Sequence, residues 1–327
     1  GVIAMRPGRQ DSLIVIDGRA NDWAARRALY TGRPSPTLAP PLQLRSFSVA
    51  SDEAYVYMKL EVGAIDWRRA AYLIGIDTHS PALGDGVLPI TGTRSPVGLE
   101  FVVDLHGPDG SHVLVDHPYN LYREKPIRGS RPAAVQQVYN RPFRSVANSA
   151  GHYDSLVVET NRRRIGRDGT VYPPRTVDRS RLLFARQSET TLADWYADTT
   201  TGVIELRIPW GMLNVLDPSS RLVLRGDPRT GKVAGVRTDG FRFLVQSYDP
   251  RRPAAPGDRL PAGTAGGFGA VPTWRWPTWE EPRWYPELKP QFDSMRAAFG
   301  RIPDRPASLT AAGAQALRTK LRGAADP

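Results

Sequence analysis

The sequence predicts an all-β fold, a two-sheet antiparallel β-sandwich with a C-terminal Trp/Pro-rich extension and short helices. Apolar and polar residues alternate over residues 54–62 and 203–208, which is the period of a strand with one face in the core. Residues 71–77 are almost all apolar, a pattern typical of a central strand covered on both faces. Glycine, proline and aspartate separate these segments and indicate tight turns.

The elements follow in chain order. Residues 13–17 are predicted to form a first strand, and residues 23–29 a short helix that ends in a proline-rich loop. Every second side chain from Tyr55 to Glu61 is polar or amphipathic, so we expect these side chains on a solvent-exposed face. The predicted strands are residues 13–17, 44–49, 54–62, 71–77, 99–105, 111–115, 156–160, 181–186, 203–208 and 241–248.

Composition changes along the chain suggest two parts. We expect a sandwich domain over residues 1–272, carrying a long surface insertion at about 118–200 that is rich in Pro, Arg and Asn. Residues 273–327 are expected to form a Trp/Pro-rich extension with terminal helices at 291–299 and 309–321.

Charge and cysteine content narrow the function classes. The chain has no cysteine, which excludes disulfides, thiolate catalysis and iron–sulfur clusters. Its net charge of +11 comes almost entirely from arginine, yet no helix-turn-helix, zinc finger or RNP-like motif accompanies it. An acidic protein partner or an anionic envelope surface therefore fits better than nucleic acid. No apolar run is long enough to span a bilayer.

No motif for catalysis is present. The sequence lacks G-x-S-x-G, H-E-x-x-H and a P-loop, so we expect a non-enzyme without a cofactor. His112 and His117 have an odd spacing that places them on opposite faces of a strand, which argues against a shared metal. Asp77 and Asp85 are the candidates for Ca²⁺, a hard cation that prefers oxygen ligands.

Aromatic and arginine residues are the better candidates for binding. Trp67 and Tyr248 lie beside polar groups near strand ends, where flat rings stack on sugars, anchor protein interfaces or cover a core. Four tryptophans interleaved with prolines form an extended segment that must lie along the sandwich or a partner. The candidate partner-binding residues are Arg162, Arg163, Arg164, Trp274, Trp276, Trp279 and Trp284.

Several segments together resemble the family-9 carbohydrate-binding modules and the related DOMON-like sandwiches. These are Ile-Asp-Gly at 16–18 with Asp22-Trp23, residues 54–57, Ile-Gly-Ile-Asp at 74–77, Glu-Leu-Arg-Ile-Pro-Trp at 205–210, and residues 241–250. The resemblance implies a β-sandwich in which Trp67 occupies the position of one sugar-clamping tryptophan. The second tryptophan of that clamp is expected after Asp249-Pro250, where this chain has none. The Arg-rich insertion and Trp/Pro-rich tail are additions to the module.

We therefore expect a non-catalytic structural or docking subunit that binds the protein subunits of a larger envelope assembly. A membrane-bound electron-transfer or photosynthetic complex would be an example. The alternative is a carbohydrate-binding module that recognises a glycan through exposed Trp67 and Tyr248. The expected location is periplasmic or extracellular, with membrane association through a partner or through an N-terminal anchor that precedes Gly1.

Overall fold

A computed structural model describes residues 3–7, 14–33, 35–121, 124–126, 138–140, 143–161, 163–186, 194–255, 257–280, 284–288 and 291–301. Strands of the first half are β1 (Ile3–Pro7), β2 (Tyr30–Thr31), β3 (Leu44–Ser51), β4 (Tyr55–Val62), β5 (Ala71–Asp77), β6 (Gly84–Val87), β7 (Arg94–Leu99), β8 (Phe101–Leu105), β9 (His112–Asp116), β10 (Glu124–Pro126), β11 (Val138–Asn140), β12 (Ala147–Asn148) and β13 (Tyr153–Ser155). Those of the second half are β14 (Val157–Asn161), β15 (Arg164–Ile165), β16 (Val171–Tyr172), β17 (Arg175–Asp178), β18 (Leu183–Phe184), β19 (Asp194–Asp198), β20 (Val203–Pro209), β21 (Val215–Asp217), β22 (Leu222–Gly226), β23 (Val233–Arg237), β24 (Phe241–Tyr248), β25 (Arg259–Leu260), β26 (Thr273–Trp274) and β27 (Trp284–Leu288). Helix α1 is Phe292–Phe299, and short 3₁₀ helices occupy Asn21–Trp23, Pro40–Leu42, His117–Tyr119, Trp210–Leu213, Pro218–Ser220 and Thr264–Gly266.

Two large sheets form the sandwich, as the strand patterns predict. One has the order β13-β9-β8-β5-β24-β25, with β26 also paired to β24, and the other has the order β18-β19-β20-β4-β3-β2. Pairing within them is antiparallel except for the short parallel contact between β18 and β19. The prediction of an all-β fold is therefore confirmed.

The core lies between the two sheets. The inward-facing residues of β4 and β5 alternate with outward-facing ones, so that Met58 and Leu60 join Tyr72 and Ile74 in a single apolar cluster. Rings from opposite sheets touch, since the centroids of Phe47 and Phe243 lie 5.8 Å apart.

The outer face of β4 is covered by the N-terminal segment, contrary to the prediction of an exposed face. Tyr55 and Tyr57 are buried in a second cluster with Ile14, Ile16 and Trp23. Residues 14–17 form no strand, so the prediction of a strand at 13–17 is wrong for these four. The segment lies across the sheet instead of pairing with its edge, because the Glu205 carboxylate holds it there by hydrogen bonds.

Those hydrogen bonds join the two most distinctive sequence motifs. Glu205 Oε1 accepts from Trp23 Nε1 at 2.6 Å, and Oε2 accepts from the backbone N–H of Gly18 at 2.7 Å and of Asp17 at 3.1 Å. The turn of the Ile-Asp-Gly motif uses the positive φ of Gly18, +79°, which favours glycine. The shared role of the motifs is structural.

Strand β5 is covered on both faces, as its apolar run predicts. Its inner residues join the main core, while Ala71 and Leu73 pack outward against Leu99 and Leu244. Gly75 fits this crowded layer because an added Cβ would lie 2.7 Å from the side chain of Leu99.

The chain divides into two compact units, residues 7–283 and residues 1–6 with 284–327. The larger unit extends past the expected boundary at residue 272 because Trp274 and Trp276 belong to its core. In the smaller unit, β1 pairs with β27, and α1 matches the helix expected at 291–299. The helix expected at 309–321 lies outside the described residues, and that at 23–29 is replaced by the 3₁₀ turn at Asn21–Trp23. No helix among the described residues has the length and hydropathy needed to cross a membrane.

Candidate functional site

A two-stranded ribbon projects from the sandwich between β13 and β19. β14 pairs with β17, and β15 continues the ribbon by pairing with β16. We call residues 157–186 the arm. Its base is fixed to the seven-stranded sheet, since Val113 N–H donates to the Ser180 carbonyl at 2.7 Å and Leu182 N–H donates to the Ser111 carbonyl at 3.0 Å.

The arm exposes an unusual amount of apolar surface. Seven of the twelve exposed large apolar side chains among the described residues lie in it, at 36% to 56% exposure. Ile165 is opposite Val171 and Arg164 is opposite Tyr172, so both faces of the ribbon carry exposed groups. The seven are Val157, Ile165, Val171, Tyr172, Val177, Leu183 and Phe184.

The arm is also strongly cationic. It holds eight arginines against three acidic residues. All of its described arginines are exposed, including the predicted partner-binding Arg163 and Arg164, whereas Arg162 lies outside the described residues. Such a surface pairs cationic groups with apolar contact area, the combination that arginine-rich protein interfaces use.

The residues predicted to stack on glycan are not arranged as a clamp. Tyr248 is 1% exposed, and its hydroxyl donates to Asp104 Oδ1 at 2.9 Å. Trp67 is half-buried and packs edge-on against Trp195 with centroids 5.3 Å apart. The prediction of an exposed Tyr248 is therefore wrong. The two rings contact clusters on opposite faces of the seven-stranded sheet and cannot hold one sugar between them.

Most of the tryptophan cluster belongs to the sandwich. Trp276 is 1% exposed, contacts Trp210 with centroids 4.6 Å apart, and donates from Nε1 to the Pro218 carbonyl at 2.7 Å. Trp274 and Trp279 are partly buried against the same core. The assignment of these three rings to a partner surface is corrected, because an extended Trp/Pro segment obtains its burial from the chain's own sheets. Trp284 lies in β27.

The two calcium candidates have other roles. Asp77 Oδ2 lies 3.1 Å from Arg242 Nη1, and its Oδ1 accepts from the His79 N–H. Asp85 accepts from the backbone N–H groups of Val87 and Gly151 at 2.9 and 2.7 Å. Each carboxylate fixes a turn of this chain, so the structure does not bring the two together as ligands.

Register creates a line of buried carboxyl groups that sequence reasoning missed. Asp77 ends β5, Glu100 directly precedes β8 and Asp116 ends β9, and the three lie side by side because Glu100 N–H donates to the Ile76 carbonyl and Asp116 N–H donates to the Glu100 carbonyl. Burial raises the pKa of Asp77 to about 6, against the lowering effect of Arg242. Burial also raises the pKa of Glu100 well above its usual value, with the neighbouring Asp77 adding to the shift.

This line lies inside the protein. Asp77, Glu100 and Asp116 are at most 1% exposed, and Glu100 Oε1 has no hydrogen-bond partner within the described residues. Buried carboxyl groups match a structural role, because a substrate would need a path to reach them.

Comparison with known proteins gives no relative: no protein-family model, curated protein or solved structure matches the chain. Its binding chemistry therefore has to be inferred from its own surface. On that surface, within the described residues, the arm concentrates exposed apolar and cationic side chains.

Proposed function

We propose that the protein is a non-catalytic docking subunit that binds an acidic surface of a larger protein assembly through the arm. The observation that carries this proposal is the coincidence of exposed apolar side chains and eight arginines in the sequence of the arm. Five of the seven apolar side chains lie on the ribbon, and Leu183 and Phe184 lie in β18 at the edge of the six-stranded sheet. A periplasmic or extracellular envelope assembly is the setting that the sequence predicts, and it stays a prediction.

The physics of the ribbon supports the proposal. A two-stranded ribbon is marginally stable in water unless a hydrophobic face packs against something. Here apolar groups point to both sides of the strands, so covering them with a partner removes apolar surface from water, while arginines at the rim select for negative charge.

Glycan binding is the less favoured function. Of its two aromatic residues, only Trp67 retains partial exposure, and one half-buried ring provides little stacking area.

The test compares charge changes on and off the arm. Three arm arginines are changed to Ser, and three exposed arginines around β22 and β23 are changed to Ser as a matched control. The arm set is Arg163, Arg164 and Arg167, and the control set is Arg225, Arg229 and Arg237. A photo-crosslinking residue replaces Tyr172 or, as its control, Val233.

We expect one defined acidic protein to be recovered by the wild type and by the control variant, and to crosslink at position 172. The arm variant should bind it about tenfold more weakly or worse, since each exposed ion pair contributes on the order of 0.2–1 kcal/mol. Added salt should weaken the wild-type interaction. Equal recovery by both triple variants, or binding only to anionic vesicles or nucleic acid, contradicts the proposal.

A further inference from the structure

Two histidines and an aspartate converge where β9 meets β13. His117 begins the 3₁₀ helix that follows β9, and its N–H donates to the His152 carbonyl at 3.1 Å. His152 and Asp154 are two residues apart along an extended strand, so their side chains leave the same face. Sequence spacing alone conceals the group, because His152 is far from His117 in the chain.

The distances fit a small cation. One ligand atom from each of His117, His152 and Asp154 lies within 4.8 Å of the other two. Asp154 Oδ1 lies 3.2 Å from His117 Nδ1 and 3.8 Å from His152 Nε2. In a tetrahedral zinc site with bonds of about 2.1 Å, neighbouring ligand atoms are about 3.4 Å apart. The observed separations lie on either side of that value.

Surrounding residues hold the ligands in place. Asn120 Nδ2 donates to Asp154 Oδ2 at 3.2 Å, the kind of outer contact that orients a metal-binding carboxylate. Asp85 Oδ2 accepts from the N–H groups of Gly151 and His152 at 2.7 and 3.4 Å, which fixes the turn that presents His152.

Ring placement and access also favour a cation. The two imidazole rings are stacked, with centroids 4.8 Å apart and planes at 21°, so both rings lie beside Asp154. The His152 side chain is 64% exposed, which leaves a route from solvent.

We propose that His117, His152 and Asp154 bind a divalent transition-metal ion, and that Zn²⁺ suits the donor set best. Zn²⁺ readily binds imidazole nitrogen, whereas the harder Ca²⁺ and Mg²⁺ prefer oxygen ligands. A set of two imidazole nitrogens and one carboxylate oxygen therefore favours Zn²⁺. Three protein ligands leave a fourth position for water. The bound ion ties the start of β13 to the end of β9, across the connection between them.

The test is metal titration of the full chain without a polyhistidine tag, after removal of metals with a chelator. Isothermal titration calorimetry with ZnCl₂ should give one saturable equivalent, and CaCl₂ and MgCl₂ should not compete for it. Co²⁺ should give the visible absorption of a tetrahedral site. His152→Ala should weaken Zn²⁺ binding at least tenfold, as should Asp154→Asn.

His106→Ala is the matched control, since His106 is exposed and outside the group. It should bind Zn²⁺ as the wild type does. Because His152 is largely exposed, its variant stays informative even if His117→Ala fails to fold. Absence of a one-equivalent Zn²⁺ isotherm, unchanged binding by His152→Ala, or equal competition by Ca²⁺ would overturn the proposal.

Discussion

At the residue scale, Glu205 connects parts of the chain that are far apart in sequence. Its carboxylate accepts from Trp23 Nε1 and from two backbone N–H groups near Gly18. In Glu205→Gln, the amide NH₂ faces another donor, so at least one buried hydrogen bond is lost. We expect a loss of about 1–3 kcal/mol in the free energy of unfolding, measured by urea denaturation.

A double-mutant cycle identifies the partner. Trp23→Phe removes the opposing donor while keeping an aromatic ring, so the cost of Glu205→Gln should be smaller in the Trp23→Phe background. Strictly additive losses would mean that this hydrogen bond does not provide the stabilisation.

The same residue should make stability depend on pH. Burial raises the pKa of Glu205 to about 7 from 4.5, against the lowering effect of its N–H donors. The folded state therefore binds more protons than the unfolded chain between these pH values, and its free energy of unfolding decreases as pH rises. Glu205→Gln cannot titrate, so the stability gap between wild type and variant should narrow from pH 4.5 to pH 7. A gap that widens over this interval would contradict the assignment.

At the element scale, an ion pair joins β19 to β20. Arg207 and Asp194 are register partners, both at most 1% exposed, and Arg207 Nη2 donates to Asp194 Oδ2 at 3.0 Å. Arg207→Met leaves a buried carboxylate without its cation and should cost on the order of 3–5 kcal/mol. The measurement is the denaturant midpoint, with the exposed Arg225→Met as control. Arg207→Met combined with Asp194→Leu should lose less than Arg207→Met alone.

The sequence predicts best those strands whose pattern of apolar residues follows directly from the burial of their side chains. β5 is a nearly continuous apolar run and β24 is apolar at five of its eight positions, and the predicted bounds of both agree with the structure. The prediction of a strand at residues 14–17 is wrong because an apolar segment that covers a sheet has the same composition as one that pairs within it. The carboxyl line from Asp77 to Asp116 depends on strand register, which local patterns do not encode.

The sequence predicts only part of the candidate site, because it shows which residues are present but not which of them the fold leaves exposed. Arginine clustering at 162–164 is visible in the sequence, and the exposed residues Arg163 and Arg164 lie in the arm. The apolar groups beside them, such as Ile165 and Tyr172, look like ordinary strand residues in the sequence, and their exposure is visible only in the part of the chain that the structure describes. Tyr248 is the opposite case: the sequence predicts an exposed ring that binds a glycan, and the fold buries that ring.

At the scale of the whole molecule, the larger unit predicts where the chain can be cut. Residues 7–283 should fold alone with one cooperative thermal transition, whereas residues 7–272 lack Trp274 and Trp276. Removing a buried tryptophan side chain costs about 3–5 kcal/mol, so the shorter fragment should melt far lower or fail to fold. Trp276→Ala in the full chain is the companion variant. Equal melting temperatures for the two fragments would contradict the placement of these rings in the core.

The outermost strands of the two large sheets are very short. β2, β18 and β25 have two residues each, and β13 has three. A foreign polypeptide that joins a sheet needs a run of unpaired N–H and C=O groups along an edge, and among the described residues these four strands offer two or three residues each. Backbone-to-backbone strand addition onto these four strands is therefore a poor mode of recognition. Under the proposed docking function, a partner would be selected by the side-chain chemistry of the arm.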